Sequence, residues 1–422
     1  MRLVYEDLSR LRAGEAPTSL ELIRDMTLGS EVWHDRFVNY YLDNFIAAGG
    51  SKVKLLTGDT GSGKSHALGY LQLAAQERDY TTIHLSLADD LGHKLSQLPQ
   101  LYRSMIGFID MDQLQTGLAL QVAERLGYRP PGYNGMEPLL PYVMDTEGSN
   151  RSDAMREIRI AINHCLRDAD LAPSVQTFAQ TLCKDRLLET DPEQMNYALR
   201  WFRGERLSMA ERRESGLFDT LRRPTARRWL TSLIQLLRLS GRTGLVLIID
   251  DLDVLMERVP DTNRFRYTAA NIKDTYELFR QLIDDADTLP HLLVLLAGHR
   301  SLLENEQRGL RSYEALWMRL QTGLVPSVRF NGLADVVNLD LLYAELGTNF
   351  PERLAKHLEN VFERHHLGMQ MRDARFDARA GQAAQPLPVQ SDLRGIIIGS
   401  MLAAGGERPS FAGSQAGGID HE

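Results

Sequence analysis

This sequence has few cysteines, no long apolar runs and no excess of positive charge. Its 422 residues include two cysteines, Cys165 and Cys183, with no C-x-x-C spacing and no histidine cluster. Neither a zinc site nor a disulfide framework is therefore indicated, and we expect reduced structural thiols. The net charge of −8 argues against a general affinity for nucleic acid, although it leaves room for a local basic patch.

No apolar run approaches the roughly 20 residues of a membrane-spanning helix. The first residues, Met-Arg-Leu-Val-Tyr-Glu-Asp, lack the apolar centre of a signal peptide. We therefore expect a cytoplasmic protein with no membrane partner. Hydrophobic residues make up 43% and charged residues 25% of the chain, which is ordinary for a globular protein. The length exceeds the usual size of one domain, so two or three units are expected.

One stretch organises the chain. Residues 58–65, Gly-Asp-Thr-Gly-Ser-Gly-Lys-Ser, fill the pattern G-x-x-x-x-G-K-[ST]. An apolar run at 53–56 predicts a buried strand before the pattern, and residues 67–75 predict a helix after it. The glycines let successive backbone N–H groups point into one concavity, and the N-terminus of the helix adds its positive dipole end.

This arrangement predicts a phosphate-binding loop for a nucleotide. Lys64 is expected to reach the β- and γ-phosphates of ATP, and the Ser65 hydroxyl is expected to bind Mg²⁺. The predicted binding residues are Gly58, Asp59, Thr60, Gly61, Ser62, Gly63, Lys64 and Ser65. The alternative is a glycine-rich turn that contains Lys-Ser by chance, which the strand before it and the helix after it disfavour.

A second apolar run at 245–249 ends in Asp250-Asp251-Leu252-Asp253. In parallel α/β sheets, ligands lie at the carboxyl ends of the strands, so Asp250 is the predicted Mg²⁺ carboxylate. Asp251 occupies the position where many related ATPases have the glutamate that polarises the attacking water. Aspartate is shorter by one methylene, about 1.5 Å, so we expect hydrolysis to be slow or to depend on assembly. The alternative is an acidic turn after a buried strand.

A third apolar run at 291–297 predicts another core strand, and His299 and Arg300 follow it. A polar residue at that place could sense the γ-phosphate. A loop residue bonded to its own backbone is the equal alternative.

Arg308, Arg311 and Arg319 lie on or near a helix before a shorter strand candidate at 325–330. An arginine there could reach the nucleotide of a neighbouring subunit and stabilise transition-state charge. Position favours Arg319 as the catalytic arginine, and surface salt bridges are the alternative.

Residues 200–242 are rich in arginine: Arg200, Arg203, Arg206, Arg212, Arg213, Arg222, Arg223, Arg227, Arg228 and Arg238. One interpretation is a solvated face whose side-chain stems cover apolar surface. The other is a patch for the phosphates of DNA or for an acidic partner.

The alternation of strands and helices predicts an α/β fold, a P-loop NTPase with a parallel sheet flanked by helices. A strand is predicted at 81–87, and helices at 19–26, 32–45, 154–165, 173–188 and from 392 to 404. The predicted organisation is an N-terminal helical segment at 1–50, an ATPase core at 51–332 with a helical insertion at about 90–240, a helical lid at 333–404, and a disordered tail at 405–422. Residues 333–367 are expected to be helical, and 368–389 to form a polar loop.

Together these residues resemble AAA+-type P-loop ATPases of the origin-recognition and STAND-like kind. More closely, the chain resembles the BrxD-type ATP-binding protein of bacteriophage exclusion (BREX) defence systems. The resembling stretches are 11–17, 58–66, 198–205, 244–253 and 311–316 with Arg319-Leu320. The loop and the Asp strand are shared by very many ATPases, whereas Arg-Trp-Phe-Arg-Gly-Glu at 200–205 and Arg-Ser-Tyr-x-Ala-Leu at 311–316 are the stretches that point to this family.

The resemblance implies an AAA+ core with a small helical lid, binding of ATP and Mg²⁺, and a role in phage defence with other proteins of the system. It also implies a homo-oligomer, either a ring or a filament. Arg394 loosely matches the lid arginine that contacts the nucleotide in such proteins. The family usually has Asp-Glu where this chain has Asp250-Asp251, which bears on hydrolysis and leaves ATP binding untouched.

Three functions remain open from the sequence. The first is an ATPase that acts as a nucleotide-driven switch or motor in defence. The second is a scaffold that binds ATP without hydrolysing it. The third is a DNA-associated ATPase regulator of the origin-recognition or transposition type, which would use the arginine-rich stretch.

Overall fold

The computed structural model describes residues 5–88, 95–188, 192–321, 329–365 and 393–404. The chain divides into two compact units. The sheet unit comprises residues 35–58 and 74–338, and the helical unit comprises residues 1–34, 59–73 and 339–422, each within the described ranges. The expectation for the polar loop at 368–389 and for the tail at 405–422 lies outside the described residues.

Among the described residues, five strands form one parallel sheet, which lies in the sheet unit. They are β1 (Ser51–Gly58), β2 (Tyr80–Ser86), β3 (Gly244–Asp250), β4 (Leu292–His299) and β5 (Val336–Asn338). The order across the sheet is β2-β3-β4-β1-β5, and all pairs are parallel. Gly58 pairs with His299 and Ser86 with Asp250, so the carboxyl ends of these strands share one edge. The predicted α/β fold with a parallel sheet is confirmed.

Helices make up most of the remaining described chain. The α-helices are α1 (Tyr5–Arg12), α2 (Leu20–Met26), α3 (His34–Phe37), α4 (Lys64–Gln76), α5 (Leu98–Ile106), α6 (Met111–Arg125), α7 (Leu140–Glu147), α8 (Arg151–Arg167), α9 (Pro173–Leu188), α10 (Pro192–Phe202), α11 (Met209–Ser215), α12 (Arg223–Leu239), α13 (Ala269–Asp284), α14 (Ser301–Glu304), α15 (Glu314–Gln321), α16 (Leu342–Leu346), α17 (Phe350–Arg364) and α18 (Leu393–Ala404). A π-helix spans Val38–Ile46, and 3₁₀ turns span Ser30–Val32, Leu252–Leu255, Ala286–Thr288, Leu310–Ser312 and Leu339–Leu341. Helices α5 to α12 lie between β2 and β3 in the chain, where the sequence predicted a helical insertion.

The core of the sheet unit runs from the sheet into the inserted helices. β3 is buried along its whole length, as expected for a parallel strand covered on both faces. The Arg-Trp-Phe-Arg-Gly-Glu stretch at 200–205 contributes to this core. Measured between ring centroids, Trp201 lies 4.4 Å from Trp229, and Phe202 stacks on Phe178 at 4.2 Å. The aromatic residues of that stretch therefore stabilise the insertion.

The helical unit has a hydrophobic core of its own. Leu11 from α1, Leu22 from α2, Leu358 from α17 and Met401 from α18 belong to one buried cluster. The first helices and the last helices therefore pack together, although they lie at opposite ends of the chain. The division into an N-terminal segment, an ATPase core and a lid stays a prediction.

One stretch differs from the sequence-based prediction. Residues 333–367 were expected to be helical, but residues 336–338 form β5 and pair with β1. A three-residue strand is too short to show a period, and its pairing depends on distant residues such as Leu55, whose N–H donates to the carbonyl of Asp335 at 2.9 Å. The strand predicted at 325–330 lies mostly outside the described residues, and its last two residues, Arg329 and Phe330, are not in a strand.

No helix in the described part of the chain is long and apolar enough to cross a membrane.

Candidate nucleotide-binding site

The candidate phosphate-binding loop, residues 58–65, connects β1 to α4. Gly58 is the last residue of β1 and Lys64 is the first residue of α4. Gly61 and Gly63 both have φ of 84°, in the left-handed region that glycine alone enters without cost. A Cβ atom on Gly63 would lie 3.2 Å from Leu393 Cδ1. The backbone of this loop therefore favours glycine at positions 61 and 63, of which the sequence pattern fixes Gly63.

The side chains of the loop fit a polyphosphate ligand. Lys64 Nζ lies over the loop and donates to the carbonyl of Asp59 at 2.9 Å. The Ser62 hydroxyl is buried and has no hydrogen-bond partner among the described residues. Ser65 is exposed at the first turn of α4. Backbone N–H groups at a helix N-terminus, an ammonium group and hydroxyls form the donor set that phosphate oxygens need.

Two residues that sequence reasoning missed hold this loop within the helical unit. The Asp59 N–H donates to Asp340 Oδ1 at 2.9 Å, and the Tyr343 hydroxyl donates to the Ser62 carbonyl at 2.8 Å. Both partners lie 281 residues along the chain, just after β5. No local pattern marks them, so only the tertiary structure could find them.

His66 anchors the start of α4. Its Nε2 lies 2.8 Å from the Thr27 hydroxyl, which itself donates to the Ile23 carbonyl. Because a hydroxyl has one proton, His66 Nε2 must carry the proton of their shared hydrogen bond. Burial lowers the pKa of His66 to about 4, so this side chain is neutral at physiological pH and adds no positive charge beside the loop.

In the sheet unit, the predicted carboxylates lie at the edge of the sheet. Asp250 is 8% exposed, accepts the Asp251 N–H at 2.8 Å, and has His84 Nε2 3.9 Å away. Asp251 has φ of 59°, a left-handed conformation that is uncommon outside glycine. Its Oδ2 accepts a 2.6 Å hydrogen bond from the Ser86 hydroxyl at the end of β2. The Asp251 carboxylate is therefore oriented by its own backbone and by Ser86.

The end of β4 adds further polar groups to the same edge. The Asp253 carboxylate accepts a hydrogen bond from the His299 N–H, and His299 Nδ1 lies 2.9 Å from the Ser301 hydroxyl. Arg300 is exposed and bonds Glu304 on the following helix at 2.7 Å. His299 is thus bonded to Asp253 of the acidic turn and to Ser301, and its sensor role stays a prediction.

The candidate arginines have varied surroundings. Arg319 is paired with Asp284 through both carboxylate oxygens and donates to the Ala315 carbonyl at 2.7 Å. Arg311 pairs with Glu306 at 3.8 Å. Arg394 lies in the first turn of α18, and its side chain is outside the described part of the structure.

Within residues 200–242, many arginines are bonded in place. Ion pairs join Arg200 to Glu205 and Glu211, Arg227 to Asp285, Arg228 to Asp170, and Arg242 to Asp79. Arg212 and Arg238 donate to backbone carbonyls, and Arg223 donates to Gln97. The ion pairs compensate the charges of Arg200, Arg227, Arg228 and Arg242, which favours the solvated face, and a DNA-binding role for this stretch stays a prediction.

The structure brings Asp250, Asp251, Ser86 and His299 to one edge of the sheet unit, where β1 also ends at Gly58. It brings Asp340 and Tyr343 to the loop in the helical unit. That Lys64 and Asp250 share one ligand stays a prediction.

The family model described as BREX system ATP-binding protein BrxC/D matches residues 8–378. Comparison with curated proteins finds no match, and comparison with solved structures finds none either.

Proposed function

Since the chain belongs to the BREX system ATP-binding protein BrxC/D family, we propose that it hydrolyses ATP and acts as a nucleotide-driven switch or motor in phage defence. One observation carries the proposal. The loop between β1 and α4 has left-handed Gly61 and Gly63, a Lys64 ammonium bonded to the Asp59 carbonyl, and a buried Ser62 hydroxyl with no hydrogen-bond partner in the described part of the chain. A loop of this composition at a helix N-terminus is suited to a triphosphate.

Each site residue has a proposed role. Residues 58–65 hold the phosphates through the Lys64 ammonium and through backbone N–H groups other than that of Asp59, which is bonded to Asp340. The Ser65 hydroxyl and the Asp250 carboxylate hold Mg²⁺. The support for Asp250 is its place at the carboxyl end of β3, an inner strand of the sheet whose β1 leads into the loop. When bound, the metal supplies positive charge that neutralises the phosphate oxygens.

Asp251 is the proposed group that accepts the proton of the attacking water. The Asp251 side chain is one methylene shorter than glutamate, and its carboxylate is already bonded to Ser86. We therefore expect slow turnover in the isolated chain. Arg319 is the proposed arginine for the nucleotide of a neighbouring copy, and it would have to exchange Asp284 for phosphate. Arg394 and the AAA+-type lid are proposed from the family resemblance alone.

The binding part of the proposal is tested by calorimetry with ATP and Mg²⁺. Lys64→Ala is expected to abolish detectable binding, because Lys64 supplies the one positively charged side chain of residues 58–65. Lys273→Ala, at an exposed lysine on α13, is the control and should keep wild-type affinity. Unchanged affinity in Lys64→Ala would refute the site.

The catalytic part is tested by phosphate release. Asp251→Asn is expected to lower the rate by about 100-fold or more, the usual contribution of a general base, with ATP affinity nearly unchanged. Equal rates in Asp251→Asn and the wild type would show that Asp251 is not the base.

A non-hydrolysing, ATP-gated scaffold is the second candidate, and the Ser86 bond to Asp251 favours it. Tight ATP binding with no phosphate release, in the presence or absence of DNA, would select the scaffold over the motor. Either function is expected to operate with other proteins of the defence system. Sizing with and without ATP tests the proposed ring or filament, because ATP should shift the elution volume toward a larger species.

A further inference from the structure

An exposed hairpin follows β3 and the 3₁₀ turn at Leu252–Leu255. We call residues 257–266 the arginine hairpin. Arg258 and Phe265 form an antiparallel bridge, and the Arg266 N–H donates to the Glu257 carbonyl at 3.0 Å. Nearer the tip, the Val259 N–H donates to the Arg264 carbonyl at 2.8 Å. These backbone bonds give the segment a fixed shape.

Two guanidinium groups stack on one aromatic ring of this hairpin. The Cζ atom of Arg258 lies 4.1 Å from the ring centroid of Phe265, and the Cζ atom of Arg308 lies 3.6 Å from it. Arg308 comes from the chain after α14, and its carbonyl accepts the hydroxyl of the buried Tyr276 at 2.7 Å. The stack thus fixes the hairpin to the body of the sheet unit and holds two cations near each other.

The hydrogen-bond partners of these two guanidinium groups are uncharged. Arg258 donates to the Asn263 carbonyl at 3.0 Å, and Arg308 donates to the carbonyls of Leu255 and Tyr267. Arg308 Nε is buried with no hydrogen-bond partner among the described residues. Burial, and to a lesser extent the charge of Arg258, lowers the pKa of Arg308 while the Tyr276 hydroxyl opposes them. An anion bound beside these two guanidinium groups would therefore compensate their positive charge and stabilise the cluster.

Arg227 and Arg228, in the stretch at residues 200–242, differ in this respect. Arg227 pairs with Asp285 and Arg228 pairs with Asp170, so a carboxylate already compensates each charge. In the arginine hairpin, the Glu257 carboxylate pairs with Arg266 at 3.6 Å. Arg258 instead donates to the uncharged carbonyl of Asn263.

Arg264 extends the positive surface, because it is exposed near the tip of the hairpin. Asp261 is the acidic residue at this tip. The hairpin and Arg308 together carry four arginines against two acidic residues in a chain whose overall charge is −8. The positive charge is therefore local, and a ligand with several regularly spaced negative charges can neutralise several arginines at once.

We propose that the arginine hairpin, together with Arg308, binds the phosphate backbone of DNA. Planar guanidinium groups donate two parallel hydrogen bonds to a phosphate, and stacking on Phe265 orients two of them before the ligand arrives. A polyphosphate chain suits the arrangement better than one small anion, because one chain can present a separate phosphate to each of Arg258, Arg264 and Arg308. Contacts to the backbone carry no base sequence, so binding is sequence-independent.

The test is fluorescence anisotropy of the full chain with a labelled DNA duplex and with the matching single strand. Both are titrated between 50 and 200 mM salt. Three phosphate contacts predict that log K falls with log salt with a slope of about −2.7 for the duplex. The double variant Arg258→Gln/Arg264→Gln is expected to lose at least tenfold in affinity at low salt, and its slope should weaken by about 2.

Matched variants distinguish this site from the alternatives. Arg227→Gln/Arg228→Gln removes two exposed arginines from the other basic stretch and is expected to keep wild-type DNA affinity. Arg258→Lys/Arg264→Lys keeps the charge and should retain most of the salt-dependent binding. Calorimetry with ATP and a thermal melt confirm that each variant is folded, since neither Arg258 nor Arg264 belongs to the proposed nucleotide site.

Several outcomes would overturn the proposal. They are no DNA binding by the wild type, equal binding by Arg258→Gln/Arg264→Gln, and a loss confined to Arg227→Gln/Arg228→Gln. Binding of polyglutamate in place of DNA, lost in the same hairpin variant, would assign the surface to an acidic protein instead. None of these outcomes changes the ATP-binding result, so the two proposals fail separately.

Discussion

Lys54 lies in β1, the strand that leads into the phosphate-binding loop, and it is fully buried. Its Nζ donates to the carbonyls of Leu333 and Ala334 at 2.8 and 2.6 Å, and it lies 4.4 Å from the ring centroid of Tyr41. These contacts tie β1 to the π-helix and to the segment before β5. Burial lowers the pKa of Lys54 to about 7, although the negative charge of Asp335 opposes the shift.

This shift predicts a pH dependence of stability. Between pH 7 and about 10.4 the unfolded chain keeps the lysine proton and the folded chain releases it, so the free energy of unfolding rises with pH. The rise is about 1.4 kcal/mol per pH unit for one such group. Between pH 7.5 and 9.5, urea unfolding should therefore show the wild type gaining about 2 to 3 kcal/mol over Lys54→Met.

The same comparison with Lys273→Met, at an exposed lysine, provides the control and should show no such gain. If the difference between the wild type and Lys54→Met is the same at both pH values, Lys54 does not titrate in this range.

At the scale of elements, the candidate phosphate-binding loop depends on backbone geometry as much as on side chains. Gly63 and Gly127 have nearly the same left-handed φ, 84° and 86°. A Cβ atom on Gly63 would lie 3.2 Å from Leu393, whereas nothing lies within 4 Å of a Cβ atom on Gly127. Alanine variants at the two positions therefore carry similar backbone strain, but only the variant at Gly63 places that strain in the loop.

Gly63→Ala is expected to lower ATP affinity at least tenfold, because an alanine at this φ costs about 1 to 2 kcal/mol and the loop must move to relieve it. Gly127→Ala carries similar strain and should lower only the melting temperature. Calorimetry with ATP measures the first effect, and a thermal melt measures the strain in both variants. Equal ATP affinity for the two variants would show that the loop does not need a left-handed residue at position 63.

At the scale of the whole molecule, one hydrophobic cluster of the described residues lies in the sheet unit and another lies in the helical unit. Leu358 on α17 is 1% exposed in the cluster of the helical unit, and Leu247 on β3 is 1% exposed in that of the sheet unit. Each leucine therefore packs within its own unit, and we expect it to stabilise that unit more than the other.

We therefore expect Leu358→Ala and Leu247→Ala to act on different parts of the chain. Each removes a buried side chain and should cost about 2 to 5 kcal/mol. Hydrogen exchange followed by mass spectrometry should show faster exchange in α1, α17 and α18 for Leu358→Ala, and in β2, β3 and β4 for Leu247→Ala. A uniform increase along the chain in both variants would mean that the two units unfold as one.

Much of the sheet could be predicted because buried parallel strands leave continuous apolar runs. Residues 81–87, 245–249 and 291–297 predicted β2, β3 and β4 to within two residues at each end. The short β5 had no such run, since its three residues are specified by pairing with β1 rather than by a local period. Helix α9 was predicted at its observed bounds because its apolar spacing is long and regular.

The sequence by itself determined the features that depend on neighbours in the chain: the glycine spacing of the loop, the acidic end of β3, and membership of the family. The tertiary structure alone decided the contacts of Asp340 and Tyr343 with the loop, the burial of Lys54, and the stack of Arg258 and Arg308 on Phe265. Each of these joins segments that are distant in sequence. Such contacts leave no local pattern, because packing chooses partners by position in space and not by spacing along the chain.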